Sequence, residues 1–266
     1  MRNILKNIKN YIWSKKRFKI FVKNAFDKKY MDNINYIFDS VYLEKHIQPL
    51  EQTTPSNKRI VVIAPHPDDE ILGCGGLLLK AQKNKCKISI IFLSSGGVDE
   101  IETREREALK VASELNITDI KFLRLEDSNI LSKIEYEKIC TELQSFRPDI
   151  ILLPFIFDKH NDHINSNRIL LEMPEEFDTE VWCYQVYSTM PCNGYLDITA
   201  IAERKYKIMS LYKSQIDHFD YVNWNRGLNA FNSKYAHDTK KKYIESYFIL
   251  PFIDYKNICT SYFNEQ

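Results

Sequence analysis

The sequence predicts an α/β fold, Rossmann-like, with a mostly parallel sheet and helices on both faces. Two observations carry this. Short β-branched apolar runs alternate with segments of helical period from Arg59 to Tyr212. Five of the seven glycines (Gly73, Gly75, Gly76, Gly96, Gly97) follow the first two of those runs, where backbone must pass close to something. The composition agrees. A chain of 266 residues with 44% hydrophobic and 13% aromatic content is too apolar to be disordered and long enough for one well-buried core.

Each element has its reason. Arg59–Ala64 (RIVVIA) has the β-branched content of a buried parallel strand, and Ile71–Lys83 the period of a helix. Lys87–Leu93 is a second strand, closed by Ser94-Ser95-Gly96-Gly97. Thr103–Leu115 is a helix with alternating charges on its outer face, and Ile120–Leu123 is a short strand. A helix over Ser132–Phe146, a strand over Asp149–Pro154, a helix over Asp162–Glu172 and a strand over Val181–Val186 follow. Ile198–Tyr212 reads as another helix. From there to Gln266 aromatic and polar residues mix without a period, and no order of elements can be read. Gly73-Cys74-Gly75-Gly76 is neither G-x-G-x-x-G nor a P-loop. It reads as close packing of the first helix, or as room beside a ligand on the preceding loop.

The formal net charge of +1 conceals an asymmetry. The first thirty residues carry ten Lys/Arg against one Asp, a net +9, and the remainder carries 27 basic against 35 acidic residues, a net −8. The domain reading is therefore a basic, partly helical arm over residues 1–50, a polar linker over 51–58, and a single α/β domain over 59–266. In the arm, Ile4, Leu5, Ile8, Tyr11 and Ile12 recur at helical spacing among lysines. Such a segment either lies on an anionic membrane surface or docks on the body or on a second subunit. No apolar run reaches the length of a spanning helix, and no secretory signal is visible. The six cysteines lack C-x-x-C spacing, as in a protein with reduced thiols. The expectation is a cytoplasmic protein, with peripheral contact at the inner face of the membrane under the first reading of the arm. No nucleic-acid partner is expected.

Ligands of an open parallel sheet sit at the carboxyl ends of its strands. The first strand ends in Pro65-His66-Pro67-Asp68-Asp69-Glu70, and the fourth in a loop carrying Asp158, His160, Asn161, Asp162 and His163. These loops hold three of the six histidines, and the topology brings them to one edge. Two histidines and a carboxylate make an N/N/O set with an open position, as in catalytic zinc centres. Asp68 and Asp69 are adjacent, so one can ligate while the other stays free as a base. Asp162 can orient a histidine ring by accepting its second N–H. His46, His218 and His237 lack such a setting and read as structural or surface residues. Taken alone, either loop is also an ordinary acidic helix start or a solvated loop.

Ala64-Pro65-His66-Pro67-Asp68-Asp69-Glu70, with Leu72-Gly73-Cys74-Gly75-Gly76 after it, resembles the first motif of the PIG-L-like (LmbE-like) zinc-dependent N-acetyl-sugar deacetylases. His160-Asn161-Asp162-His163 resembles the family's His-Pro-Asp-His, with Asn161 in place of proline, and the likeness runs over about 58–216. The resemblance implies that His66, Asp69 and His163 bind Zn²⁺ and that Asp68 is the general base. It implies that His160, paired with Asp162 and held protonated by it, is the electrostatic or acid group. It also places Arg104 and Asp127 where relatives contact the sugar. Fe²⁺ or another divalent transition metal would suit the same donors. The implied substrate is an N-acetylated amino sugar, free or in a lipid-, nucleotide- or glycan-linked form. Two other readings stand beside it. One is an Mg²⁺-dependent sugar-nucleotide glycosyltransferase, which the histidines disfavour because Mg²⁺ prefers oxygen ligands. The other is a non-catalytic sugar-binding protein of the same fold.

Overall fold

The structure is a computed structural model and describes residues 48–130, 136–174 and 177–264. The basic arm, apart from its last residues, lies outside the described residues, as does the start of the helix expected from Ser132. Among the described residues eight strands form one sheet, in the order β1-β7-β8-β6-β5-β2-β3-β4. They are β1 (Leu50–Glu51), β2 (Arg59–Ala64), β3 (Lys87–Ser94), β4 (Asp119–Leu125), β5 (Ile150–Pro154), β6 (Glu180–Tyr184), β7 (Gly194–Asp197) and β8 (Ile244–Pro251). All pairings are parallel except those of β8 with β6 and β7. The helices are α1 (Asp69–Lys83), α2 (Ile101–Leu115), α3 (Tyr136–Phe146), α4 (Asn161–Ser166), α5 (Ala202–Met209), α6 (Lys213–Ile216), α7 (Tyr221–Asn232) and α8 (Phe252–Asn264).

The period of two in the strands sorts the core into two layers. Ile60, Val62, Ala64, Ile150 and Leu152 face one side, where they meet residues of α1, α2 and α5. Val61, Ile63, Ile151 and Leu153 face the other and meet residues of α3, α8 and the 3₁₀ turn Asn167–Glu172. Helices cover both faces, which is why these strands are apolar throughout. The expected helix over Asp162–Glu172 is divided between α4 and that turn. Asn167 Nδ2 donates to the carbonyls of Pro154, His163 and Ile164, which draws the chain tighter there. The segment read as a linker begins in the sheet. Leu50 N donates to Asn193 O and Gln52 N to Tyr195 O, so β1 extends the edge beside β7. Among the described residues no helix is long and apolar enough to cross a membrane. All six cysteines are free.

The glycine run belongs to α1, and the close-packing alternative accounts for it. A Cβ on Gly73 would stand 2.0 Å from Cδ2 of Tyr184. Tyr184 is itself fixed, its hydroxyl donating to Ile63 O at 3.0 Å. α1 is broken at Cys74 (φ −139°, ψ 18°), which frees backbone groups inside the protein. The carbonyl of Leu72 accepts from Lys205 Nζ and from Asn225 Nδ2, both at 3.0 Å. Beyond the break, Gly76 N donates to Glu245 Oε1 at 2.7 Å and Leu77 N to Oε2 at 2.8 Å. Lys205 Nζ also donates to Glu245 Oε1 at 2.8 Å, and both side chains are buried. A buried ion pair thus caps both halves of the helix whose first turn carries Asp69.

Candidate metal centre and active site

The turn from β2 into α1 is tight. Asp68, the residue before α1, has φ 126° and ψ −27°, a conformation costly for any residue with a Cβ. It is held there by its own N–H, which donates to Glu70 Oε2 at 3.0 Å. Glu70 Oε1 in turn accepts from Tyr212 Oη at 2.6 Å. Across the edge, α4 starts just after β5, with His160 as its cap. His160 Nδ1 accepts from Asp162 N at 3.2 Å.

The two loops meet as the strand order requires, since β2 and β5 are neighbours. Asp69 Oδ2 lies 3.4 Å from His66 Nδ1 and 3.2 Å from His163 Nε2. Two ligand atoms each about 2.05 Å from one tetrahedral cation stand about 3.3 Å apart. One nitrogen from each of His66, His160 and His163 also falls within 4.8 Å of the others. Asp69 Oδ1 and His163 Nε2 are buried without a hydrogen-bond partner on the side where the two loops meet, as lone pairs directed at a cation would be. This donor set, nitrogen-rich with one carboxylate, suits zinc or another divalent transition metal.

The electrostatics point the same way. Burial lowers the proton affinity of His66, but Asp127, Asp162 and Asp69 outweigh it and raise its pKa well above the usual imidazole value. Burial acts likewise on His163, and Asp69 and Asp158 outweigh it, pushing it up to about 9. Burial would raise Asp69, yet His163 and His66 hold it well below the usual carboxylate range. The carboxylates therefore call for positive charge where the two rings face Asp69. Asp68 differs from its neighbour: burial, then the charge of Asp69, push it up to about 7. That is the range in which a general base works best near neutral pH.

One expected pairing is corrected. The carboxylate of Asp162 does not hold His160; it sits 3.1 Å from His66 Nε2 and accepts from Ser128 N at 2.8 Å. Asp162 lies in the first turn of α4, where its backbone reaches His160 and its side chain turns to the β2 loop. His160 is correspondingly not held protonated: burial, then His66 and His163, lower its pKa, and Nδ1 is occupied as an acceptor. Asp127 also joins His66, its Oδ1 lying 3.1 Å from Nε2. Arg104 is buried, with one terminal nitrogen donating to Pro67 O at 3.2 Å and its Nε unpartnered. Gly96 (φ 87°) makes room for it, since a Cβ there would stand 2.6 Å from the guanidinium.

Sequence reasoning missed Asp158. Its Oδ1 lies 3.3 Å from His163 Nδ1 and accepts from His160 N at 3.0 Å, while Oδ2 accepts from Tyr187 N at 3.1 Å. Each candidate histidine ligand therefore has its own carboxylate behind it, Asp162 for His66 and Asp158 for His163. The position was visible in the histidine loop, but nothing in the spacing distinguishes it from a solvated acid.

Residues 61–173 match the family described as PIG-L, GlcNAc-PI de-N-acetylase. Over that segment the chain is similar to the PIG-L family. Both histidine loops, and Arg104 and Asp127, lie inside it. A diacetylchitobiose deacetylase of Thermococcus kodakarensis is 23% identical over 231 residues, covering 76% of this chain and 86% of the relative. The N,N′-diacetylchitobiose deacetylase of Pyrococcus horikoshii superposes with a TM-score of 0.61 at 20% identity, over 83% of this chain and 94% of that one. A 4-carboxy-2-hydroxymuconate hydratase of Pseudomonas putida superposes with a TM-score of 0.62 at 15% identity, over 73% and 96%. The fold is thus shared by proteins named for different reactions, and what distinguishes them lies in the residues of the site and not in the sheet.

Proposed function

We propose that the chain is a metal-dependent N-deacetylase that releases acetate from an N-acetylated amino sugar or its glycoconjugate, with zinc as the expected metal. The observation that carries this is the juxtaposition of His66, Asp69 and His163 with a buried, free carboxylate at Asp68. The family match over 61–173 and the names of the relatives support the reaction class. The imidazoles weigh against an Mg²⁺-dependent glycosyltransferase.

His66, Asp69 and His163 would hold the cation. When bound, it supplies Lewis acidity to the amide carbonyl and lowers the pKa of a water towards about 7. Asp68 takes the proton from the attacking water. With Nδ1 occupied, His160 carries its proton on Nε2 and donates it as a hydrogen bond to the amide oxygen as negative charge develops there. One such donor is worth about 3 kcal/mol in a transition state. Neutral imidazole suffices for that role, so no protonated His160 is needed. Asp68 then returns its proton to the departing amine, and the products are acetate and the free amino sugar. Arg104 and Asp127 stand beside the turn and are assigned to sugar contacts.

The test is acetate release from a panel of N-acetylated sugars, free, nucleotide-linked, lipid-linked and oligomeric, with Zn²⁺ supplied. Activity on at least one, lost with a chelator and restored by metal, is expected. No release from any of them, with metal bound, would sink the reading. Asp158→Asn is expected to weaken zinc binding about 10–100-fold, because His163 loses the group that turns its ring. A competition titration with a chromophoric chelator measures this, and unchanged affinity would remove Asp158 from the site.

A further inference from the structure

We propose that Tyr212 is a positioning residue for the candidate base: through Glu70 it holds the positive-φ turn that presents Asp68. The inference rests on the deacetylase reading and adds to it a residue from outside the two histidine loops.

The turn is fixed on one side only by its own helix. The carbonyl of Asp68 accepts from Ile71 N at 3.2 Å and from Leu72 N at 2.9 Å, which ties its far side to the start of α1. On the near side stands the φ of 126°, and the bonds of α1 do not set it. What meets the Asp68 N–H is Glu70 Oε2 at 3.0 Å. A glutamate side chain with one bond is a weak support, because its own rotamers have to be ordered first. Glu70 has a second bond that orders it. Its Oε1 accepts from the Tyr212 hydroxyl at 2.6 Å, and both residues are buried. These bonds, and not a cation, satisfy the two oxygens of Glu70. A carboxylate buried in that way is costly, and the turn is what it holds.

Tyr212 is anchored in turn. Its carbonyl accepts from Gln215 N at 3.2 Å and Ile216 N at 3.1 Å, which ties it to α6. Two residues on, Ser214 N and Oγ donate to the carboxylate of Glu107 on α2, at 3.0 and 2.6 Å. Arg104, one turn earlier on α2, donates to Pro67 O. The turn is therefore tied to α2 twice, directly at Pro67 and by way of Ser214, Tyr212 and Glu70 at Asp68. Tyr212 is 142 positions from Glu70 and lies outside 61–173, so the support comes from a part of the chain beyond the family match. Without its hydroxyl Glu70 is free to turn, and Asp68 relaxes towards negative φ and carries its carboxylate off line. A displacement of about 1 Å in a reacting group costs on the order of a hundredfold in rate.

The experiment has a kinetic and a melting arm, both on the full chain supplied with Zn²⁺. On whichever N-acetylated sugar releases acetate, Tyr212→Phe should lower kcat about tenfold and Glu70→Ala about a hundredfold, with KM and zinc affinity unchanged. The double variant should lose no more than Glu70→Ala alone, since both break one path. Glu70→Gln, whose side-chain oxygen can still accept from Asp68 N, should retain most of the rate. Tyr206→Phe is the control: it deletes another buried hydroxyl of α5, bonded to Asn229, and should leave kcat as it is. A Tyr212→Phe protein with unaltered kcat, a loss matched by Tyr206→Phe, or losses that multiply in the double variant would each overturn the proposal. The melting arm needs no activity. At positive φ glycine is favoured over alanine, so Asp68→Gly should melt about 2–4 °C above Asp68→Ala. With Tyr212→Phe added the turn relaxes, and that gap should close. A gap that persists also overturns the proposal. Acetate release with a persistent gap sinks the role of Tyr212 alone. A gap that closes, without acetate release from any sugar, leaves Tyr212 holding the turn and sinks the deacetylase reading.

Discussion

Asp68→Asn should lower acetate release by on the order of 10²–10⁴-fold while the protein keeps its metal. Asparagine has nearly the same shape and can occupy the same strained turn, so the change removes basicity and little else. The turn itself does not depend on the carboxylate. It is held by the Asp68 N–H on Glu70, and Asp68 makes no side-chain cap to α1. Nor does the side chain serve as the bridge between the imidazoles, which is Asp69. Asp69→Asn should therefore behave differently and lose metal along with turnover. Metal content by mass spectrometry, set beside turnover, separates the two. An Asp68→Asn protein that turned over normally would remove Asp68 as the base. One that lost its metal would make it a ligand.

Glu245→Ala should destabilise the fold by about 3–5 kcal/mol, because it strands the ammonium of Lys205 in the interior. For a domain of this size that is a fall in melting temperature on the order of 10 °C. Lys205 is fully buried, and apart from Glu245 its Nζ is bonded to the Leu72 carbonyl. Glu245 also accepts from Gly76 N, Leu77 N and the hydroxyl of Tyr247. Replacing the pair together, Lys205→Met with Glu245→Leu, removes the stranded charge and should recover only part of the loss. The remainder is the desolvation cost of the two N–H groups past the break, about 1–3 kcal/mol each. Thermal or urea unfolding of the three variants measures each share. A loss below about 1 kcal/mol for Glu245→Ala would mean that the pair does not hold α1 together.

The sequence displayed those parts of the fold that are built on local pattern. RIVVIA, KISIIFL and DIILLP were legible as strands because both faces of each are covered by helices, so their interiors are apolar but for the small buried Ser89. IESYFILP was not legible, although it lies inside the sheet as β8. Glu245 and Ser246 break its apolar run, and their partners, Gly76, Leu77 and Gln185, are far away in the chain. A buried acid satisfied from 169 positions away looks, in sequence, like a surface acid. The site divides in the same way. Which residues gather was legible, since strand order alone brings the two loops together. Which carboxylate faces which imidazole was not, because it depends on side-chain direction in the first turn of α4. Hence Asp162 went to His66 instead of His160, and Asp158 passed unnoticed.

The clamp on α1 also sets an order of events. The ribosome delivers α1 within the first third of the chain and Glu245 only near its end, after 168 further residues. Until β8 arrives, the break at Cys74 has no carboxylate for its free N–H groups, and the turn bearing Asp68 and Asp69 rests on an unfinished helix. Contacts this distant in sequence are slow to form. A nascent or truncated chain lacking β8 would therefore carry both histidine loops without the carboxylate that clamps α1 and without the strand that joins β7 to β6, so the candidate site would settle only once β8 is in place.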